Sequence, residues 1–381
     1  MSDLLKCEDK QWLQGIWDKL YAKMKSQCER LGTDIPYIPV DGAYHDLEGH
    51  TIAWWTNGFW PGMLWQMYQA TGESGFREAA AGVEQRLAKM FDEFIKMDHD
   101  TGFLWLHSAV ADYRLTGNHQ SYIYGLHAAN ILAGRYNPSG GFIRAWGSEA
   151  KDSRYGWMII DCLMNMPLLY WASKETGDPR FYQMAVNHTN TTMKYLLRQD
   201  GSAYHIAVLD AITGDLESYP DGQGYAPDSA WSRGQAWAVY GMSLAYKYTG
   251  RKEYLVRAKQ CAHYLIANLM LTSYVPLADF RAPETPVLYD TSAGSCAVCG
   301  LLELSELVNN RERKLYRKAA LNTLKALTEK HCNWRPEEDS ILAQGCVAYH
   351  SEKERDVPLI YGDYFLVEAV TRLMGKGFAI W

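Results

Sequence analysis

"ASKETGDPRFYQMA", residues 172–185, is the stretch on which the fold turns. An apolar segment of helical period runs into Gly177 and stops. Glycine just past such a segment marks a helix C-terminus, because it enters left-handed backbone without steric cost. An aromatic, Phe181, follows the glycine, then Ala185, and a second, more amphipathic segment begins. The same signal recurs in "YQATGESGFREAA" (68–80), "YRLTGNHQSYIYG" (113–125) and "AYKYTGRKEYLVRA" (245–258). Their glycines are Gly72, Gly117 and Gly250; their aromatics are Phe76, Tyr122 and Tyr254; Ala80 and Ala258 match Ala185.

Two weaker copies extend the series. "CAVCGLLELSELVNN" leads into "RERKLYRKAALNTLKAL", with Asn310 in the glycine's place, and "YGDYFLVEAVTRLMG" ends at Gly375 with no helix after it. The N-terminal segment "EDKQWLQGIWDKLYAKM" is the expected partner of that last helix. Helices apolar nearly all round belong inside and amphipathic ones outside. The expectation is an all-α (α/α)6 barrel of six helix hairpins, with residues 1–381 forming a single domain. Segments such as "GSAYHIAVLDAITGDLESYP" fall in inter-helix loops that can hold short strands. An open solenoid is the alternative, but its end faces would require polar caps that this sequence does not show.

Composition narrows the function. A net charge of −6 with pI near 6.0 argues against nucleic acid or an anionic membrane as partner. The first residues show no basic and apolar signal pattern, and no apolar run is long enough to span a bilayer. A cytoplasmic location is expected, with the eight cysteines as free thiols. "CAVC" (296–299) has a metal-like spacing, but no second pair follows it, so these cysteines read as core and no metal or organic cofactor is expected. Fourteen Trp and 26 Tyr fit either an aromatic core or a cleft that stacks on sugar rings.

The register of the repeat picks out a site. Asp100 lies 17 positions before Gly117, Asp161 lies 16 before Gly177, Arg233 lies 17 before Gly250, and Trp55, beside Trp54, lies 17 before Gly72. In a closed ring, equivalent positions face the same mouth. Each residue alone has a plainer reading: either aspartate could cap a helix, Arg233 could lie at the surface, and the tryptophans could be core. The coincidence of all of them is harder to set aside. Asp161 sits in "YGWMIIDCLMNMPLLYW" (155–171), and a carboxyl in such surroundings has its pKa raised and can donate a proton near neutrality. Paired carboxylates of this kind serve sugar hydrolysis.

"MDHDTGFLW" (97–105), "MIIDCLMNMPLLYWA" (158–172), "DGQGYAPDSAWSRGQAWAVYG" (221–241) and "WWTNGFWPGMLW" (54–65) resemble, in order and spacing, the unsaturated glucuronyl hydrolases of glycoside hydrolase family 88. The resemblance covers nearly the whole chain. It implies a cytosolic (α/α)6 enzyme acting on what polysaccharide lyases leave: glycosaminoglycan oligosaccharides of chondroitin, hyaluronan or heparin type, with a 4,5-unsaturated uronate at the non-reducing end. It further implies Asp161 as the general acid and Asp100 as the second essential carboxylate. His205, Gln223 and Arg233 match positions that contact the uronate, with Arg233 suited to its carboxylate. Trp54, Trp146, Trp231 and Trp237 match stacking or pocket-wall positions. His99 and His127 are nearby candidates with an equally ready structural role. Some family members bind a sulfate through Ser-x-x-Ser-x-Lys; here "AYHSEK" (348–353) keeps Ser351 and Lys353 but has Ala348 first, and sulfated chondroitin disaccharides are expected to be accepted. The rivals are an unsaturated rhamnogalacturonyl hydrolase, a sugar 2-epimerase, which typically needs paired histidines, and a sugar-binding barrel without catalysis.

Overall fold

The computed structural model describes residues 7–147, 153–335 and 337–381. Helices come in pairs. The first, α1 (Cys7–Leu31), is followed by α2 (Phe59–Thr71) and α3 (Ser74–Leu87). Next come the short α4 (Thr101–Trp105), a π turn (Leu106–Val110), α5 (Ala111–Thr116) and α6 (His119–Ala133). Then follow α7 (Met166–Thr176), α8 (Pro179–Tyr195), α9 (Ser232–Thr249), α10 (Lys252–Leu271), α11 (Thr291–Leu307), α12 (Asn310–Lys330) and α13 (Ile360–Leu373).

Helices α2, α4–α5, α7, α9, α11 and α13 each touch the next, and α13 returns to α2, which closes the inner ring. The outer helices back them: α3 on α2, α6 on α4, α8 on α7, α10 on α9 and α12 on α11. Helix α1 packs on α13 and completes the sixth pair, as the sequence led one to expect. The inner helices are covered on every side, so α9 is buried without a break from Ser232 to Ala245 and α11 from Thr291 to Ser305. The outer helices bury one stripe, as α10 does with Tyr254, Ala258, Cys261, Ala262, Leu265, Ile266 and Leu269.

Gly72, Gly117, Gly177 and Gly250 all have positive φ (68° to 77°), and each N–H closes the preceding helix on the carbonyl four residues back. The fifth unit differs from the expectation for Asn310. There the chain leaves α11 through extended Val308, and Asn309 caps α12 by accepting the N–H groups of Arg311 and Glu312. Asn310 is simply the first residue of α12. An N-cap replaces the left-handed turn, so no glycine is needed.

Three strands, Trp157–Ile159, Ile206–Leu209 and Leu216–Ser218, form a small antiparallel sheet in the loops above the ring. It lies over the same end of the barrel as the start of α4 and α9. That placement, which the helical repeat does not encode, supplies part of the site.

Candidate active site

The inner helices begin at one mouth, and the residues singled out by register stand at their N-terminal ends. Trp54 precedes the 3₁₀ turn Trp55–Gly58, Asp100 precedes α4, Asp161 lies in the 3₁₀ turn Ile160–Met164, and Arg233 is in the first turn of α9. The capping alternative fails for both acids: neither carboxylate caps a helix, and Asp161 lies inside its turn rather than before it.

Asp161 is held with its Oδ1 out of water and without a hydrogen-bond partner. Burial pushes its pKa up to about 7, against the nearby positive charge of Arg233. His205 comes to it from the sheet, because the Ile159–Ile206 pairing is continued by the Ile160 N–H donating to the His205 carbonyl at 3.0 Å. The His205 Nδ1 accepts the N–H of Gln223 at 2.9 Å, so the ring proton of the neutral form is on Nε2. That Nε2 stands 3.8 Å from Asp161 Oδ1 and also lacks a partner. Burial and the Arg233 charge lower the His205 pKa to about 3, so the ring is neutral at physiological pH. Two unpartnered buried polar atoms facing each other are costly, and a ligand placed between them would satisfy both.

Asp100 is close enough to feel Asp161. Burial, then Asp98 and then Asp161 push its pKa well above the usual carboxylate range, while Asn165 and Arg135 oppose the shift. Its N–H donates to Asp98 Oδ1 at 2.9 Å, and His99 Nε2 lies 3.5 Å from its Oδ2. Asp98, His99 and Asp100 could each offer one metal-ligand atom, all within 4.8 Å. However, the Asp98 oxygen is engaged by the turn that orients Asp100, so the group reads as a support for that acid.

The remaining expected residues fall into three groups. Trp231 packs its ring 4.4 Å from His205, and half-buried Trp146 stands edge-on to His99 at 6.4 Å; both border the acids. Trp54 stacks on His50 at 4.5 Å with its indole N–H unpartnered. Trp237 is one layer deeper, 1% exposed between Phe103 and Phe365, so it supports the floor of the site and offers no open stacking face. His127 lies on outer α6 with its ring edge-on to Phe91, 5.4 Å between centroids.

Arg233 already has partners within the protein. Its Nη1 donates to Asp290 Oδ2, to Ser292 Oγ and to the Cys346 carbonyl (2.6 Å), and its Nη2 donates to the Val347 carbonyl (2.7 Å). It is 1% exposed and lies over the rings of Trp231 and Tyr361. Its charge is thus already balanced by Asp290, leaving one Nη2 hydrogen and the Nε–H as the most it can offer. Gln223 shares the same acceptor, its Nε2 donating to the Val347 carbonyl at 2.7 Å.

The Val347–Ser351 segment lies directly on the Gln223 loop, since the Tyr349 N–H donates to the Gln223 carbonyl at 2.8 Å. Ser351 and Lys353 therefore belong to the rim. The Ser351 hydroxyl is taken by Glu354 at 2.5 Å, and Lys353 is exposed.

Several functional residues escaped the sequence reading. Asp290 is the N-cap of α11 and the counter-ion of Arg233. Asp279 gathers the loop 221–231 by accepting the N–H groups of Tyr225 and Ala230 and the Ser229 hydroxyl. Gly222 must lack a side chain, because a Cβ there would fall 2.0 Å from His205 Nδ1.

A closed ring of helix hairpins with two non-capping carboxyls among tryptophans at its mouth suits an enzyme that acts on sugars. A family model described as Glycosyl Hydrolase Family 88 matches residues 37–381. The chain is 34% identical over 371 residues to the unsaturated glucuronyl hydrolase of Bacillus sp. (strain GL1), covering 95% of this chain and 96% of that protein. It is 37% identical over 324 residues to the unsaturated chondroitin disaccharide hydrolase of Streptococcus pyogenes serotype M1, covering 84% and 80%. A mutant unsaturated glucuronyl hydrolase from Streptococcus agalactiae, solved in complex with dGlcA-GalNAc6S, superposes with a TM-score of 0.83 at 28% identity, over 97% of this chain and 93% of that one. The chain belongs to glycosyl hydrolase family 88 and is a glycosidase.

Proposed function

We propose that this enzyme hydrates the 4,5 double bond of a non-reducing-end unsaturated uronate in glycosaminoglycan oligosaccharides, releasing 5-dehydro-4-deoxy-glucuronate and the shortened saccharide. The observation that carries this reading is the unpartnered Asp161 Oδ1, buried at the mouth beside a neutral imidazole N–H and a second acid. A group that protonates carbon must hold its proton at neutrality and must not lose it to a competing acceptor. A pKa of about 7 and the missing hydrogen bond meet both conditions. The unsaturated glucuronyl and chondroitin disaccharide hydrolases among its relatives, and the dGlcA-GalNAc6S bound to the Streptococcus agalactiae enzyme, support the substrate class.

The steps follow from the vinyl ether O5–C5=C4. Asp161 gives its proton to C4, and the positive charge that appears at C5 is delocalised onto O5. The Asp161 carboxylate then takes a proton from water as the water oxygen bonds to C5, which regenerates the acid. The hemiketal opens at the C5–O5 bond to a C5 ketone, and C1, now a hemiacetal, expels the aglycone. One water is consumed per bond released. Bond breaking at C1 is a consequence of hydration, so the link between carboxyl spacing and anomeric stereochemistry does not apply. In this scheme Asp100 accepts the sugar hydroxyls, His205 Nε2–H and Gln223 bind the uronate, and Trp54, Trp146 and Trp231 wall it.

One catalytic domain spans residues 1–381, a reading supported by one large core cluster that runs from Leu13 to Trp381, beside three small ones. A cytoplasmic reaction is our reading, and what supports it is the free state of the thiols. All eight cysteines are free thiols, and no described helix is long and apolar enough to cross a membrane. The test follows the ultraviolet absorbance of the conjugated C=C–carboxylate with unsaturated chondroitin, hyaluronan, heparin and rhamnogalacturonan disaccharides. Loss of signal with a glycosaminoglycan substrate is expected. Loss with rhamnogalacturonan alone would transfer the enzyme to pectin, and no loss with any would overturn the reading.

A further inference from the structure

Asn165 is wholly buried where the 3₁₀ turn carrying Asp161 passes into α7, and the scheme above gives it no part. Its Oδ1 accepts the Phe103 N–H at 2.8 Å, and its Nδ2 stands 3.4 Å from Asp100 Oδ1. A backbone N–H can only donate, so the amide oxygen must face Phe103 and the NH₂ must face Asp100. The side chain cannot be turned over without losing both contacts. Gly102 closes the space around it, since a Cβ there would fall 2.5 Å from Asn165 Oδ1 and 2.6 Å from its Cα. The segment that bears one acid thus reaches across the mouth with a fixed donor for the other. Asp161 Oδ1 has no donor at all.

We propose that Asn165 is a positioning residue whose amide donor favours the anion at Asp100 and so helps to leave the proton on Asp161. The inference rests on the roles given above to the two acids. The groups facing Asp100 are Asp98 and His99 from its own turn, Asp161 and Cys162 from the 3₁₀ turn, and Arg135 from the end of α6. Burial drives Asp98 upward and His99 well downward, each toward its neutral form, and Asp161 keeps its proton up to about 7. Burial, the largest influence, holds the Asp100 pKa up, and the Asn165 donor and Arg135 work against it. Asp100 feels the charge of Asp161, so a donor committed to Asp100 shifts the balance of protonation between the two acids.

The experiment uses the full-length enzyme and two variants. Asn165→Asp is isosteric. When its new carboxyl is protonated, one oxygen still accepts from Phe103 and the hydroxyl still donates to Asp100; once ionised, it repels Asp100. Its kcat/KM should lie within about threefold of wild type at about pH 5 and fall about tenfold or more below wild type by about pH 8. A structural role alone would lower activity in parallel at every pH, and such a parallel profile overturns the proposal. Asn165→Ala, followed by ¹³C-carboxyl NMR with Asp100 assigned by difference against Asp100→Asn, should show Asp100 titrating about one unit higher than in wild type. An unmoved Asp100 overturns the proposal. This second readout needs no substrate, so failure of the proposed reaction and failure of the Asn165 assignment give different results.

Discussion

Replacing Asp161 with asparagine should yield a dead enzyme that is more stable than wild type in alkaline buffer. The side chain keeps its shape and loses only its proton chemistry. Activity should fall by at least about 10⁴, because one group supplies both the acid and the base of the reaction, and each such role is commonly worth about 10²–10⁴. For stability the sign follows from the raised pKa. The unfolded carboxyl ionises near 3.8, the folded one near 7. The protonated native state therefore has its full advantage below the lower value and loses it progressively as pH rises through the upper one. The gap of about three units amounts to about 4 kcal/mol at roughly 1.36 kcal/mol per unit, as an upper bound for a group that water partly reaches. Asparagine escapes that loss. Thermal denaturation at about pH 8 should show a Tm several degrees above wild type, with little difference at about pH 4. Turnover is followed by the ultraviolet absorbance of the unsaturated uronate. Near-wild-type activity would refute the role of Asp161, and a lower Tm at alkaline pH would refute the claim that its ionisation is disfavoured in the fold.

Three further outcomes are expected. The wild-type kcat/KM should decline above about pH 7 with unit slope as Asp161 loses its proton, and a flat profile to higher pH would place the acid elsewhere. Arg233→Met should destabilise the protein by about 3–5 kcal/mol in urea unfolding, because it strands the buried Asp290 carboxylate; unchanged stability with a raised KM would restore Arg233 as a direct ligand of the uronate. Lys353→Ala should leave stability within about 0.5 kcal/mol and raise KM for sulfated chondroitin disaccharides while sparing unsulfated ones; equal effects on both would remove Lys353 from sulfate recognition.

The six-unit ring was legible because its signals are local. A glycine that ends one helix and an apolar run that begins the next need no knowledge of tertiary contacts. The fifth unit departed where an N-cap could make the turn without a glycine. The acids were legible through register, since Asp100 and Asp161 stand at equivalent helix starts. Asp290 occupies the same kind of place, and its signal was present: Asp followed by Thr291 and Ser292 ahead of an apolar run is an N-cap pattern. His205 could be reached only by resemblance, because it rides on a strand inserted between helices. Asn165 and Gly102 meet across 63 positions, and no one-dimensional pattern specifies such a contact. The Asp290 counter-ion of Arg233 was hidden for a related reason: what a buried cation meets depends on tertiary contacts, and Asp290 lies 57 positions away.

The inner helices that frame the mouth all start there. Their N-terminal N–H groups, several of them without intrahelical partners, surround one opening in a protein whose net charge is −6. An anionic sugar approaching from a distance meets a repelling body with an attracting aperture. The far field falls away within a Debye length of about 8 Å at physiological salt, whereas the dipole ends act over the last few ångströms. Capture should therefore become faster as salt rises from low ionic strength, the reverse of ordinary steering between opposite charges.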